Sequence, residues 1–542
     1  MSGPDAKFIS GFDFVATLTP GASGDFLMDD AASARPAAAA LRNRSIRAIF
    51  GSLLLVMLLA SLDQTIVSTA LPTIVGEFGG LAHLSWIVTA YLLAQTIVTP
   101  LYGKLGDLFG RKIVLQSAIL LFLAGSALCG LSRSMGQLIA FRALQGLGGG
   151  GLIVVAMAAV GDIFTPRQRG RYQGIFGGVF GLSTVLGPLI GGFFVEHLSW
   201  RWIFYVNLPL GLLAVTIIGI AFTAPGSRRR PVIDVGGAAL LAVVLTALIL
   251  LTSLGGSAFA WSSPYALALS ATTIGGLFGF IRVELHSAEP ILPLRLFGNR
   301  VFGVACAVGF IVGLALFGSV TYMPMYLQVV KGVSPTLAGL TLTPMMAGVV
   351  VTSVVGGRII SRFGRYRPFP IIGTAVMTVG LGLLATLGVG TATWTACVYM
   401  LVLGTGLGFV MQVLVLAVQN AVDYRDLGVA TSGTTLFRSI GGSVGVSLFG
   451  AIFTAALTAN LAGRLPADAD LAAATSPAAI RALPVAVRTV YLDVFTAALH
   501  PVFLYAAAVA ALGFALTWLL KELPLREVAA TPDDPSAPRR RS

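Results

Sequence analysis

The sequence predicts an all-α protein that crosses a lipid bilayer many times, and two observations carry this prediction. Of the 542 residues, 56% are hydrophobic and only 11% are charged, whereas a soluble domain carries about a quarter charged residues. The second observation is a series of fourteen apolar stretches, each close to the ~20 residues that a helix needs to cross the hydrocarbon core. Lipid is therefore the expected solvent of this chain.

The fourteen predicted spans are distributed along the whole chain between residues 46 and 520. They cover 46–70, 84–103, 113–131, 135–161, 172–195, 202–222, 233–254, 264–284, 300–325, 335–358, 368–388, 393–419, 428–457 and 499–520. Residues 1–45 are predicted to form a disordered cytoplasmic tail, because they lack the apolar core of a signal peptide. Met28 is an alternative start to Met1.

The basic residues test the span count and set the orientation. With the N-terminus in the cytoplasm, only six of the 35 Lys and Arg lie in outer loops. They are Arg133, Arg201, Lys331, Arg464, Arg481 and Arg488. This asymmetry predicts a multi-pass protein of the cytoplasmic (inner) membrane with cytoplasmic N- and C-termini, the latter at residues 521–542. The net charge of +13 thus reflects topology and does not indicate a surface for nucleic acid.

An internal repeat divides the chain into two halves. The loop 103–112, after the second span, recurs as the loop 357–366 after the tenth span. The matching pairs are Gly103 with Gly357, Phe109 with Phe363, Gly110 with Gly364, and Arg111 with Arg365. We therefore expect six-helix halves at 46–222 and 300–520, with two inserted helices at 223–299. The long outer loop 458–498 is expected to hold short surface helices. Parallel halves place a binding site near the midplane between them.

Five motifs, in order and on the expected spans, resemble the major facilitator superfamily and, within it, the fourteen-span drug:proton antiporter family. They are Leu62–Pro72, Gly103–Lys112, Arg142–Gly148, Gly181–Gly192 and Trp200–Gly211. The resemblance implies the major facilitator fold, no enzymatic activity, and proton-coupled efflux of hydrophobic or cationic drugs by alternating access. The alternatives in the same fold are an exporter of one endogenous metabolite (antibiotic, lipid or siderophore) and a uniporter or importer.

The resemblance also assigns roles to two glycine-containing segments. It implies that the loop 103–112 is a conformational latch, formed by Gly103, Asp107, Gly110 and Arg111. It implies that a fifth-span antiporter motif helps to set the direction of export, and this motif contains Gly181, Gly187, Pro188, Gly191 and Gly192. Ser361 stands in the second loop copy where the first has Asp107. Charge contacts of the latch are therefore expected in the N-terminal half only.

Three charges lie well inside predicted spans, where each costs about 2.5–3.5 kcal/mol on insertion scales. Asp63 is the only acid among them, and Arg142 lies at a similar depth on the fourth span. We expect Asp63 to be the proton-coupling carboxylate, with Arg142 biasing its protonation. The alternative is a static ion pair that joins the two spans.

The third buried charge, Arg438, lies near the midplane of the thirteenth span. It is a candidate to contact substrate or an anionic group, and the alternative is packing against backbone oxygens beside Gly441, Gly442 and Gly445. Four glutamines are weaker candidates to line the substrate cavity, with interhelical hydrogen bonds as the alternative. They are Gln64, Gln95, Gln145 and Gln412.

Several kinds of site are not expected from the sequence. No Gly-x-x-x-x-Gly-Lys-Ser/Thr motif occurs, so ATP hydrolysis by this chain is not expected. The four histidines have no metal-ligand spacing, and neither a metal nor another cofactor is expected. The expected partners are a small-molecule substrate, protons and lipid; a monomer is expected, and a periplasmic adaptor is left open.

Overall fold

The computed structural model describes residues 24–78, 84–222, 233–256, 259–461, 480 and 484–525. Within these ranges the chain is all-helical apart from one isolated bridge between Gly255 and Phe259. Contacts divide the chain into two units, residues 1–48 and 49–542. The first unit contributes the beginning of helix α1, and the second holds the helical bundle described below.

In the described part of the N-terminal half and the inserted pair, the chain forms nine helices. Their bounds are α1 Gly24–Phe78, α2 Leu84–Phe109, α3 Arg111–Leu131, α4 Met135–Ile163, α5 Pro166–His197, α6 Trp202–Tyr205, α7 Asn207–Ala221, α8 Val235–Leu254 and α9 Pro264–His286. A 3-10 turn at Leu294–Gly298 leads into the second half.

Over the residues of the C-terminal half that the structure describes, there are seven helices. Their bounds are α10 Arg300–Val329, α11 Pro335–Leu340, α12 Thr343–Phe363, α13 Pro368–Leu384, α14 Thr393–Ala421, α15 Leu427–Leu461 and α16 Val485–Thr517. A 3-10 turn at Tyr424–Asp426 precedes α15.

Helices lie at all fourteen predicted positions. Within the described ranges, twelve segments are long and apolar enough to cross a membrane. The two further predicted spans coincide with α2 and with α13, and α13 has only 17 residues. An all-helical, multi-pass membrane protein is thus confirmed, whereas fourteen crossings remain a prediction.

The structure differs from the sequence prediction at both ends of the bundle. Helix α1 begins at Gly24, so residues 24–45 are helical where a disordered tail was expected. Their many alanines have the highest helix propensity of any residue. Helix α16 begins at Val485, inside the predicted outer loop 458–498. Residues 1–23, 462–479, 481–483 and 526–542 lie outside the described residues, as do the predictions made for them.

The most extensive packing between the two halves involves two pairs of helices. Helix α5 packs against α12, and α2 packs against α15. The inserted helix α8 packs on both α2 and α15, where Ser447 Oγ donates a hydrogen bond to the carbonyl of Thr252. The insertion therefore covers the junction between α2 and α15.

Candidate functional site

The Asp63 carboxylate of α1 is completely enclosed, and both of its oxygens are hydrogen-bonded. Oδ2 accepts a hydrogen bond from Arg142 Nη1 at 2.8 Å. Oδ1 accepts from Gln145 Nε2 at 2.8 Å and from Asn207 Nδ2 at 3.0 Å. All four residues are at most 1% exposed. A buried carboxylate is stable as an ion only with such partners, so the geometry is that of an ionised Asp63.

Ser126 of α3 joins this carboxylate network to a fourth helix. Its hydroxyl oxygen accepts hydrogen bonds from Gln145 at 3.1 Å and from Asn207 at 3.0 Å. The hydroxyl donates to the carbonyl of Phe204 at 2.9 Å. Helices α1, α3, α4 and α7 therefore meet at one polar centre inside the N-terminal half.

Arg142 is held from three directions besides the ion pair. Its Nη1 donates to Gln145 Oε1 at 2.7 Å, and its Nε donates to the carbonyl of Ile87 at 3.3 Å. The guanidinium also lies 4.1 Å from the centroid of the Tyr91 ring, a cation–π contact. A side chain bound in this way is held in one position. A change in the charge of Asp63 would therefore alter the contacts that Arg142 makes with α2 and α4.

The structure brings Asp63 and Arg142 together as the sequence predicts. Gln145, however, was a candidate to line the substrate cavity, and its surroundings are different. Gln145 is fully buried against the Asp63 carboxylate. Its Nε2 donates to Asp63 and Ser126, and its Oε1 accepts from Arg142, so its amide forms interhelical hydrogen bonds and does not face a cavity. Sequence analysis missed Asn207 and Ser126. Each could have been noticed as a polar residue within an apolar helix, which often marks a functional position. Asn207 also lies within the motif Trp200–Gly211.

Among the described residues, the other cavity candidates make no hydrogen bond to the Asp63 carboxylate. Gln64 donates to Gln95 at 3.2 Å, and both are half-buried. Gln412 is buried on α14 beside Gly177 of α5. Arg438 is half-buried on α15. Gln64 and Gln95 thus form an interhelical hydrogen bond, the alternative that the sequence analysis allowed.

The glycines of α5 allow α1 to approach closely beside Asp63. A methyl group at Gly187 would overlap Thr65 Oγ1, and one at Gly191 would overlap Thr69 Oγ1. At Gly181 it would overlap Val350 of α12. Helix α5 therefore contacts α1 on one side and the second half on the other.

The last two residues of this motif have different surroundings. A methyl group at Gly192 would meet no atom within 4 Å. Pro188 lies inside α5 and leaves the carbonyl four residues earlier without its helical donor.

The segment 103–112 was predicted to be a loop, but the structure places its residues in the end of α2, the turn at Gly110 and the start of α3. At this end of the bundle, which we call the motif end, the segment contacts the second half. Asp107 Oδ1 accepts from the backbone N–H of Gly428 at 3.0 Å, and Oδ2 accepts from Val429 at 2.9 Å. Asp107 therefore caps the N-terminus of α15, where a negative charge is favourable. Arg111 pairs with Asp107 and also donates to Asp162 at 2.9 Å.

Two glycines of the loop are needed by its geometry. A methyl group at Gly103 would lie 2.6 Å from the carbonyl oxygen of Gly428, so α2 and α15 cross at backbone contact. Gly110 has φ +87°, a conformation that other residues rarely adopt. Of the residues predicted to form a latch, Gly103 and Asp107 contact α15 of the second half, and the role of a latch stays a prediction.

The second loop copy contacts the first half in the same way but without a carboxylate. Ser361 Oγ accepts from the backbone N–H of Arg171 at 3.0 Å, near the start of α5. The carbonyl of Ser361 accepts from Arg167 Nε at 3.0 Å. Each loop copy therefore holds the beginning of a helix in the opposite half, and the carboxylate lies in the first copy only, as expected.

Further contacts close the motif end between α5, α12 and α14. A methyl group at Gly170 would lie 3.1 Å from the carbonyl oxygen of Gly357. Gln173 Nε2 donates to Gln419 Oε1 at 2.8 Å. Among the described residues, no cluster of His, Cys, Asp or Glu could hold a metal ion. The two halves are thus in contact at the motif end, and the buried ion pair lies within the first half.

Known proteins are similar to this chain in sequence or in fold. Residues 53–446 match the Major Facilitator Superfamily. The chain is 43% identical to an uncharacterized MFS-type transporter of Mycobacterium tuberculosis, over 90% of this chain and 71% of the relative. It is 39% identical to the multidrug transporter protein MdtP of Bacillus subtilis, over 87% and 92% of the two chains.

Among solved structures, the proton:xylose symporter XylE is similar, with a TM-score of 0.60 and 16% identity over 89% of this chain and 97% of that one. This likeness supports the fold alone. The family match over most of the chain and the 39% identity to MdtP settle the membership. The chain is a membrane transporter of the Major Facilitator Superfamily.

Proposed function

We propose that this transporter exports amphipathic small molecules in exchange for protons, by alternating access, with Asp63 as the proton-carrying group. The observation that carries the proposal is the enclosed Asp63 carboxylate, which accepts three hydrogen bonds from charged or amide donors. A protonated carboxyl attracts Arg142 less and accepts fewer hydrogen bonds. Protonation would therefore loosen the centre where four helices meet.

A continuous set of contacts leads from Asp63 to the interface between the halves. Thr65, two residues after Asp63, donates to the carbonyl of Ser183 on α5 at 3.1 Å. Helix α5 packs on α12 through Gly174 and Gly181. Movement of α1 after protonation would reach the second half through α5, which supports coupling of proton binding to the opening and closing of the halves.

The direction and membrane are part of the proposal. Similarity to a multidrug transporter supports export, and the resemblance of the fifth-span motif to that of antiporters implies the same direction. The bias of basic residues supports the cytoplasmic membrane, with both termini and the motif end on the cytoplasmic side. A protein closed at its cytoplasmic end would be ready to release cargo outward and to take up a proton.

The test is transport by the full-length protein in proteoliposomes under an imposed pH gradient, with a chemically diverse panel. We expect pH-driven movement with the wild type and its loss with Asp63→Asn. The matched control is Asp493→Asn, an exposed acid on α16, which should transport normally. Normal pH-driven transport by Asp63→Asn would refute the proposed role. If a single natural metabolite moves and the rest of the panel does not, the transporter serves one endogenous compound.

A further inference from the structure

Arg438 is the interior charge that the described part of the protein leaves without a partner. It lies on α15, which begins at Leu427, so it is ~16 Å from the helix start at 1.5 Å per residue. That is about half the thickness of the hydrocarbon core. Within the described ranges, no ion pair or hydrogen bond reaches its guanidinium.

The other interior arginines are balanced by the protein itself. Arg142 pairs with Asp63 at 2.8 Å. Arg111 pairs with Asp107 and Asp162. Arg169 donates to backbone carbonyls, including that of Phe164 at 3.0 Å. An uncompensated charge in an apolar interior is costly and marks a functional position, so the contrast with Arg438 is informative.

The surroundings of Arg438 are apolar and belong to three helices of the second half. The side chain lines a cavity of about 10 Å³, which has room for about one water molecule. The wall residues are Ala305, Gly309 and Val312 of α10, Met411, Leu414 and Val415 of α14, and Thr434 of α15. Separation of α10 from α14 would open this cavity toward a larger ligand.

The sequence analysis left open that the Arg438 side chain packs against backbone oxygens beside Gly441, Gly442 and Gly445. In the structure, Gly441 and Gly445 have another role. Gly441 packs against the carbonyl of Phe310, and Gly445 packs against that of Leu314. These glycines therefore serve the close approach of α10 and α15. They do not supply acceptors for the guanidinium.

Among the described residues, the interior has no unpaired acid that could bind a positively charged cargo. Asp63 is the acid at this depth, and its oxygens are already taken by Arg142, Gln145 and Asn207 with no exposed surface. A cation near Arg438 would be repelled, whereas a carboxylate could accept two parallel hydrogen bonds from the guanidinium.

We propose that Arg438 binds the negatively charged group of the cargo, so that the transporter selects amphipathic anions such as aryl carboxylates. This inference rests on the proposed export function and narrows its cargo, in place of the cationic drugs that the family resemblance suggested. Arg438 supplies the charge, and the apolar walls of α10 and α14 accept the hydrophobic body of the molecule.

The test compares three probes with one aromatic body: pyrenebutyrate, its neutral amide, and a pyrenebutyl trimethylammonium. With the wild type we expect pH-driven transport of pyrenebutyrate, which Arg438→Gln reduces at least tenfold and Arg438→Lys reduces less. Arg133→Gln removes an exposed arginine and should leave transport unchanged. Transport of the ammonium probe in preference to pyrenebutyrate, or equal transport of pyrenebutyrate by wild type and Arg438→Gln, would overturn the inference.

A binding measurement separates this inference from the proposed function. Pyrenebutyrate should raise the Tm of the detergent-solubilised wild type but not that of Arg438→Gln. If this shift occurs although no probe crosses the membrane, the result supports the anion site at Arg438 and contradicts the proposed proton-driven export. If the Tm shift is absent or equal in both proteins, the anion site is refuted whatever the transport result.

Discussion

At the scale of single residues, Asp63 is stabilised as an ion by a set of donors that sequence alone could not assemble. Arg142 could be predicted as its partner because the two charges lie at similar depths in their spans. Asn207 donates to Asp63 at 3.0 Å and to Ser126 at 3.0 Å, and it was missed. An asparagine in an apolar helix does not reveal which neighbouring helix it faces.

We predict that Asn207→Ala changes both the stability and the pH response of the transporter. The substitution removes one of three donors to a buried carboxylate, which typically costs about 1–3 kcal/mol. The Tm in detergent should fall, and the pH dependence of transport should shift because the charged form of Asp63 loses a partner. Asn460→Ala is the control, since among the described residues that amide bonds only the carbonyl of Ala456 on its own helix. An unchanged pH profile would exclude a role for Asn207 in coupling.

At the scale of helices, the pattern of apolar residues predicted where the helices lie better than it predicted the residues at which they begin and end. The predicted spans fall on helices throughout, because a membrane requires a regular length of apolar chain. Helix α16, however, begins 14 residues before the predicted residue 499. That extension contains Arg488 and Asp493, which are compatible with a helix but lower the hydropathy on which the prediction depends.

The crossing of α1 and α5 depends on a particular face of α5, which leads to a paired prediction. Gly191→Ala should lower transport about tenfold and destabilise the protein by about 1–3 kcal/mol, because a methyl group there overlaps Thr69 and Ile66. Gly192→Ala should behave as wild type, since a methyl group there meets open space. Thermal unfolding in detergent and transport in proteoliposomes measure both effects. Equal effects of the two substitutions would show that this helix crossing is not needed.

At the scale of the whole molecule, the two halves are held together at the motif end by reciprocal contacts. Asp107 of the first half caps α15, and Ser361 of the second half accepts from the start of α5. The sequence repeat predicted two equivalent loops and the loss of charge in the second. It could not reveal that each loop holds a helix of the opposite half, because that contact depends on how the halves dock.

We predict that Asp107→Ala shifts the molecule toward an arrangement that is open at the motif end. It removes two backbone hydrogen bonds to a charged group, each worth about 1.5–3 kcal/mol. A cysteine introduced at Ser353, buried between the halves, in a protein otherwise free of cysteine, should react with a maleimide at least roughly tenfold faster. Asp423→Ala removes an exposed acid nearby and should not change the rate. An unchanged rate in Asp107→Ala would contradict the latch.

The most direct test of the central claim, that cargo and protons move in exchange through Asp63, reverses the driving force. A gradient of a transported compound is imposed across proteoliposomes at equal pH, and a pH-sensitive dye reports proton movement. The wild type should move protons against the direction of cargo flow, and Asp63→Asn should not. Cargo movement by the wild type without any proton movement, or equal proton movement by Asp63→Asn, would contradict the account.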